Sequence, residues 1–229
     1  MDWNAKIFSY CERGLDPGFW AEPLNAISNA AFLIAAAAAL VLWAKVGTER
    51  RATTELLLVL LVAVIGIGSF LFHTYATRWA VLADVLPITV FMIIYLGYAL
   101  RRFAGAPWLL VAVLLAAFVF SLRAAESLTC VGRACLNGSV GYLPALVALI
   151  AVGVWLAWRG HPAAGTLLAG AVLFAVSLTL RTIDRSYCPL TAFFSRRTIG
   201  THFLWHIANA TLLFMLLRGA LKFGAPAKR

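Results

Sequence analysis

The stretch Leu56–His73, LLLVLLVAVIGIGSFLFH, is 18 residues long and contains no Lys, Arg, Asp or Glu. About 20 mainly apolar residues in a helix span the hydrocarbon core of a bilayer, and an uncharged stretch of about 18 is a candidate span. The stretch therefore predicts a transmembrane helix. Two polar side chains, Ser69 and His73, lie near its end.

Six other stretches have the same character: about Pro23–Ala44, Val81–Leu100, Pro107–Leu122, Gly141–Trp158, Ala163–Leu180 and Thr201–Leu221. The whole chain is 63% hydrophobic and 12% charged over 229 residues, which is more apolar than a water-soluble domain needs. The apolar runs are continuous and do not alternate, which excludes a transmembrane β-barrel. We predict an all-α membrane protein, a seven-transmembrane helix bundle that forms one domain over residues 1–229. Residues 1–19 are expected to form a short extramembrane N-terminal cap.

The net charge of +10 would favour a nucleic-acid partner in a soluble protein. Here the Lys and Arg residues lie mainly between apolar runs, as juxtamembrane charges do, so we expect no nucleic-acid partner.

All four cysteines, Cys11, Cys130, Cys135 and Cys188, fall on the N-terminal side of the membrane. This placement indicates an oxidising compartment and allows Cys11–Cys188 and Cys130–Cys135 disulfides, with free thiols as the alternative. We expect the N-terminus outside and the C-terminus in the cytoplasm, in a bacterial inner membrane.

Five polar residues lie within or at the ends of the predicted spans, where an ionisable group costs about 2.5–3.5 kcal/mol and indicates a functional site. Ser69 and His73 are four residues apart and share one helix face, as do His202 and His206. The second span ends, and the third and seventh begin, on the same side of the membrane. Together with Asp84, these residues are therefore expected at a similar depth in one leaflet.

This group of residues predicts a catalytic zinc site. Zinc in hydrolases commonly takes three protein ligands and keeps a fourth position for water, whose pKa it lowers to about 7. The candidate ligands are His73, His202 and His206. Asp84 is the candidate base or acceptor for the water, and Ser69 is the candidate donor to an oxyanion. The alternative is that the histidines are hydrogen-bonded packing residues, because H-x-x-x-H without the glutamate of the zincin motif is weak.

The same residues resemble the pattern of the alkaline ceramidases. These enzymes belong to a superfamily of seven-helix proteins that includes the progestin and adipoQ receptors and the GPI-anchor remodelling hydrolases. The resemblance covers essentially the whole chain. Its motifs are Ser69-x-x-x-His73 with Asp84 eleven residues later, His202-x-x-x-His206, Tyr10-Cys11-Glu12, Glu22-Pro23-Leu24-Asn25-x-x-Ser28-Asn29 and Ile183-Asp184-x-x-Tyr187-Cys188.

The resemblance implies a zinc-dependent hydrolase that cleaves the amide bond of ceramide or a related N-acyl lipid into a fatty acid and an amine. It implies that the three histidines hold zinc, that Asp84 deprotonates the water and that Ser69 stabilises the tetrahedral intermediate. It also implies a Cys11–Cys188 disulfide.

A calcium ion in the N-terminal cap is a further implication of the resemblance. The candidate ligands are Glu12 and Glu22, which match the pattern, and Asp16, which could compensate for a missing ligand because calcium takes six to eight oxygens. This sequence departs from the pattern at Ser9 and Gly14, where an acid and an Asn are expected. The alternative is that the three acids are ordinary solvated or helix-capping residues.

Three other functions remain open from the residues alone. An ester-cleaving phospholipase of the same superfamily would share every site residue. A seven-helix receptor could hold zinc structurally, with Asp84 as a fourth protein ligand. A transporter would need a pair of broken helices, for which the chain gives no obvious signal. The expected partner of the enzyme is a membrane lipid.

Overall fold

The structure is a computed structural model that describes residues 2–47, 53–127, 132–193 and 197–224. The helices are α1 Pro23–Ser28, α2 Ala30–Lys45, α3 Thr53–Tyr75, α4 Arg78–Tyr98, α5 Trp108–Ser127, α6 Leu143–Trp158, α7 Ala164–Ile183 and α8 His202–Phe223. The first two form a single span, and within the described residues seven helical stretches are long and apolar enough to cross a membrane. The predicted seven-helix membrane bundle is confirmed.

The observed helices extend beyond the apolar runs that predicted them. Helix α3 begins at Thr53 and ends at Tyr75, and α4 begins at Arg78 and continues into a π-helical turn, Ala99–Phe103. The reason is that hydropathy marks only the hydrocarbon core, whereas backbone hydrogen bonding continues through the polar residues at the interface. Helix α6 instead begins two residues after the predicted Gly141. The preceding segment, Gly132–Tyr142, consists of 3-10 turns interrupted by non-helical backbone at residues 135–138.

Helices α3 and α8 lie at the centre of the bundle. In each of them 50% of the membrane-spanning residues are buried within the protein, against 11–33% in the other spans. Helix α3 packs against α2 and α4, and α8 packs against α2 and α7. The two helices that carry the candidate zinc ligands are therefore the ones most shielded from lipid.

Gly68 allows a close approach between α3 and α4. A Cβ atom at this position would lie 1.9 Å from the carbonyl oxygen of Ala83. The next residue in each helix is a candidate catalytic residue, Ser69 in α3 and Asp84 in α4. The absence of a side chain at Gly68 therefore sets the distance between these two groups.

The N-terminal segment lies across the end of the bundle at which α3 ends and α8 begins. The Ile7 amide donates to the Ala76 carbonyl oxygen at 2.7 Å, and Lys6 Nζ donates to the Tyr75 carbonyl oxygen at 2.7 Å. A short antiparallel pairing of β1 Ala192–Phe193 with β2 Arg197–Thr198 lies in the α7–α8 connection. The N-terminal segment and this connection cover the polar end of the two central helices.

A disulfide joins Cys11 of the N-terminal segment to Cys188 of the α7–α8 connection, as the resemblance implied. Cys135 is disulfide-bonded as well. Its predicted partner, Cys130, lies outside the described residues.

Substitution of Gly68 by alanine is expected to lower the free energy of unfolding by about 1–3 kcal/mol or more, the range for overpacking a close contact. The added methyl group would meet backbone atoms, which cannot rotate away. The measurement is the melting temperature of the detergent-purified protein. Gly165→Ala in α7 is the matched control, because a Cβ there meets no atom within 4 Å. Equal melting temperatures for the two variants would contradict the prediction.

Candidate metal centre

The last turns of α3 and the first turns of α8 bring three histidines together. The ring centroids of His73, His202 and His206 lie 4.6–5.1 Å apart. One candidate ligand atom from each residue lies within 4.8 Å of the other two, and all three side chains are buried. Among the described residues, this is the one group of three His, Cys, Asp or Glu side chains with such spacing.

Glu22 orients His73. The Nδ1 atom of His73 lies 2.6 Å from Glu22 Oε2, inside the protein. Because a carboxylate only accepts hydrogen bonds, Nδ1 carries the proton in this contact and Nε2 keeps its lone pair. A carboxylate behind a histidine is the usual arrangement that fixes the ring and its tautomer for a metal ion.

Ser28 does the same for His206. The Ser28 hydroxyl donates its single proton to the Asn25 carbonyl oxygen at 3.0 Å. It must therefore accept the hydrogen bond that joins it to His206 Nδ1 at 2.7 Å. Nδ1 of His206 is the protonated nitrogen, and its Nε2 is left to bind a metal.

Two ring nitrogens of the group are buried without a partner. His73 Nε2 and His202 Nδ1 make no hydrogen bond with any described residue, although buried polar atoms are nearly always paired. Neutral imidazoles in a set of three are a common donor set for catalytic zinc. The residues present therefore fit a zinc ion.

Tyr10 and Asp184 hold the first turn of α8 in place. The ring of Tyr10 stacks on that of His202, with centroids 3.6 Å apart. Asp184 Oδ1 accepts from the backbone amides of Thr201 and His202 at 2.7 and 3.0 Å, and its Oδ2 accepts from the Cys11 amide at 2.9 Å. An anion at a helix N-terminus satisfies the free amides there. Asp184 thus fixes the histidine-bearing turn and the N-terminal segment at once.

Ser69 and Asp84 lie beside the histidines. The Ser69 hydroxyl donates a hydrogen bond to the Asp84 carboxylate. With His202 and His206, both residues line the polar end of a cavity inside the bundle. The structure therefore brings the predicted catalytic pair and the predicted zinc ligands to one place.

The remainder of the cavity is apolar. Along α8 it continues from His206 to Leu216, a distance of about 15 Å at 1.5 Å per residue. Its other walls come from α4, α6 and α7, among them Phe91, Tyr95, Leu149, Val152, Leu167 and Phe174. The shape and lining suit a hydrocarbon chain whose polar end lies at the histidines.

A cation, Arg181, also faces the polar end of the cavity. Its guanidinium donates to Ser139 Oγ at 2.9 Å and to the Tyr10 hydroxyl at 3.4 Å, and it lies over the rings of Tyr10, Tyr142 and Trp205. Burial raises the pKa of the Tyr10 hydroxyl, which the charge of Arg181 only partly opposes. Tyr10 therefore stays protonated beside His202.

The three predicted calcium ligands make separate contacts. Glu12 accepts from the backbone amides of Leu24 and Asn25, both at 2.8 Å, and so caps α1. The Asp16 side chain accepts from the Gly18 amide at 2.7 Å, and Glu22 binds Arg13 and His73. The described structure does not gather them into a metal-binding group. Calcium binding by these residues stays a prediction.

Sequence reasoning missed several residues that support the site. Glu22 was predicted as a calcium ligand but contacts His73, and the contacts of Tyr10, Ser28 and Asp184 with α8 were not predicted. All four residues lie in the motifs that resemble the alkaline ceramidases, so their place in these motifs could have indicated a role at the site. Arg181 was missed because the predicted span stopped at Leu180, whereas α7 continues to Ile183.

Comparison with known proteins agrees with this geometry. A family model described as Ceramidase matches residues 9–221, nearly the whole chain. Among curated protein sequences, none matches the chain closely enough to be counted as a relative. The matched segment contains every residue of the candidate site, from Tyr10 to Leu216. The chain therefore belongs to the ceramidase family, which implies a hydrolase that acts on the amide bond of ceramide.

Proposed function

We propose that the chain is a zinc-dependent intramembrane hydrolase that cleaves ceramide or a related N-acyl lipid into a fatty acid and an amine. The observation that carries the proposal is the buried group of His73, His202 and His206, with two ring nitrogens that lack a hydrogen-bond partner among the described residues. The Ser69–Asp84 pair lies next to this group, at the polar end of an apolar cavity.

The three histidines would hold the zinc ion, which when bound polarises a carbonyl and makes water ionise near neutral pH. The protein supplies the orientation of the ligands. Glu22 and Ser28 fix the tautomers of His73 and His206, and Asp184 fixes the backbone at His202. Such outer contacts commonly decide metal affinity.

Asp84 would move the proton during the reaction. Its carboxylate accepts the proton of the attacking water and then gives it to the nitrogen of the leaving amine, so one residue serves as base and as acid. Ser69 donates to Asp84 at rest. Its hydroxyl is free to turn towards the oxygen of the amide carbonyl as negative charge develops there.

The apolar part of the cavity would hold the acyl chain and exclude water from the amide. Since the bundle spans the membrane, we propose that the lipid enters laterally from the leaflet that contains the histidines. This arrangement favours a lipid amide as the substrate. A soluble amide has no acyl chain to contact the apolar cavity wall between His206 and Leu216.

The geometry favours an enzyme over a receptor with a structural zinc ion. A closed site needs four protein ligands, whereas a catalytic site keeps one position open. In the described residues the close group of ligand atoms consists of the three histidines and does not include Asp84.

We also propose that the N-terminus lies outside and the C-terminus lies in the cytoplasm of a bacterial inner membrane. The support is the Cys11–Cys188 disulfide at the N-terminal end of the bundle. Disulfides persist in oxidising compartments, and the periplasmic side of such a membrane is one.

His73→Ala is expected to abolish zinc binding, because it removes one of three ligands. The measurement is the zinc content of the detergent-purified protein by inductively coupled plasma mass spectrometry. His161→Ala is the matched control, since His161 lies in the α6–α7 loop away from the site and should not affect zinc. Full zinc retention in His73→Ala would exclude this ligand assignment.

Asp84→Asn is expected to keep the zinc and to lower fatty-acid release by about 10²–10⁴-fold, the usual contribution of a general acid–base. Ser69→Ala is expected to keep the zinc and to lower release by about 10²–10³-fold, as for the loss of an oxyanion donor. Thr179→Val on the exposed face of α7 is the control. Loss of zinc in Asp84→Asn would make Asp84 a ligand and favour the receptor.

Ceramide is expected to release fatty acid with the wild-type protein and not with His206→Ala. The measurement is mass spectrometry of the free fatty acid, with an ester phospholipid tested in parallel. Release from the phospholipid alone would assign the chain to an ester-cleaving activity with the same residues. Release from neither lipid, by a protein that holds zinc, would argue against both activities.

A further inference from the structure

The Arg13 side chain is buried beneath the N-terminal segment, with 2% of the residue exposed. Its Nε donates to Glu22 Oε1 at 2.5 Å. One terminal nitrogen donates to the carbonyl oxygens of Asp16 and Gly18 at 3.1 and 2.9 Å. The other donates to those of His73 and Thr74 at 2.8 and 3.3 Å. A guanidinium has five N–H donors, and here each has an oxygen partner.

These five oxygens resemble the surroundings of a hard metal ion. One is a carboxylate oxygen and four are backbone carbonyl oxygens, the donor types that calcium selects in proteins. They come from two separate parts of the chain, the N-terminal segment and the end of α3. The carbonyl oxygens at a helix C-terminus also favour a cation. The guanidinium of Arg13 occupies the centre of this oxygen set.

A second cation would not fit in the same place. The five oxygens of this set already accept hydrogen bonds from Arg13. Both Glu12 carboxylate oxygens accept from α1 amides, and Asp16 Oδ1 accepts from the Gly18 amide. Among the described residues, Glu22 is the one carboxylate that forms an ion pair with Arg13. Adding two positive charges beside a buried guanidinium would be repulsive where the dielectric constant is low.

We propose that Arg13 is a built-in cation that takes the structural role expected of calcium in the N-terminal cap. Through Glu22 it positions His73, because one carboxylate oxygen binds Arg13 and the other binds the histidine. Arg13 is therefore a positioning residue for the metal centre, and the protein needs no calcium. This inference rests on the proposed function only in that one of its two measurements is the zinc dissociation constant.

The test starts from metal-free protein, to which zinc is returned with and without millimolar calcium. In the wild-type protein, calcium should change neither the zinc dissociation constant nor the melting temperature. Arg13→Ala should weaken zinc binding by about 10–100-fold, the usual effect of removing support behind a ligand. It should also gain a calcium dependence, since the carboxylate and carbonyl oxygens are then free. Arg78→Ala, an exposed arginine on the same side of the membrane, should behave as wild type.

If Arg13→Ala does not fold, the measurements on the wild-type protein with and without calcium still test the inference. A wild-type protein whose zinc affinity or melting temperature rises with calcium would overturn the proposal. So would an Arg13→Ala protein that binds zinc as tightly as wild type in the absence of calcium. If the wild-type protein binds no zinc at all, the proposed function fails, and the melting temperatures with and without calcium still decide the role of Arg13.

Discussion

The rest of the site depends on the Glu22 carboxylate, which binds the guanidinium of Arg13 through one oxygen and the imidazole of His73 through the other. Burial by itself raises the pKa of Glu22. The interaction with the imidazole of His73, and the hydrogen bonds from Asn25 and Arg13, outweigh that effect and leave the pKa below its ordinary value. The ionised carboxylate then links the N-terminal segment, the start of α1 and the end of α3.

A second carboxylate completes the arrangement from the opposite side. Asp184 does for α8 what Glu22 does for α3, since it holds a histidine-bearing turn through the backbone amides of Thr201 and His202. Its other oxygen binds the Cys11 amide. Gly200 makes this contact possible, because a Cβ there would lie 2.1 Å from Asp184 Oδ1. Both anions therefore act from outside the spans on histidines that lie just inside them.

The sequence was sufficient for the helix count and for the convergence of the histidines. Ser69, His73, His202 and His206 stand out because polar residues at helical spacing are unusual in apolar spans. The Glu22–His73 contact could not be read in this way, since its residues are 51 positions apart and one lies in a segment without periodicity. Four of the five Arg13 partners are backbone carbonyls, which no residue type signals.

The distribution of the three histidines along the chain has a consequence for biosynthesis. One comes from the second membrane span and two from the seventh, and a chain is inserted from its N-terminal end as it is made. A nascent chain with six spans in the bilayer carries His73 alone, and its α3 has no α8 to pack against. The three-histidine group is therefore complete only after the seventh span has been inserted.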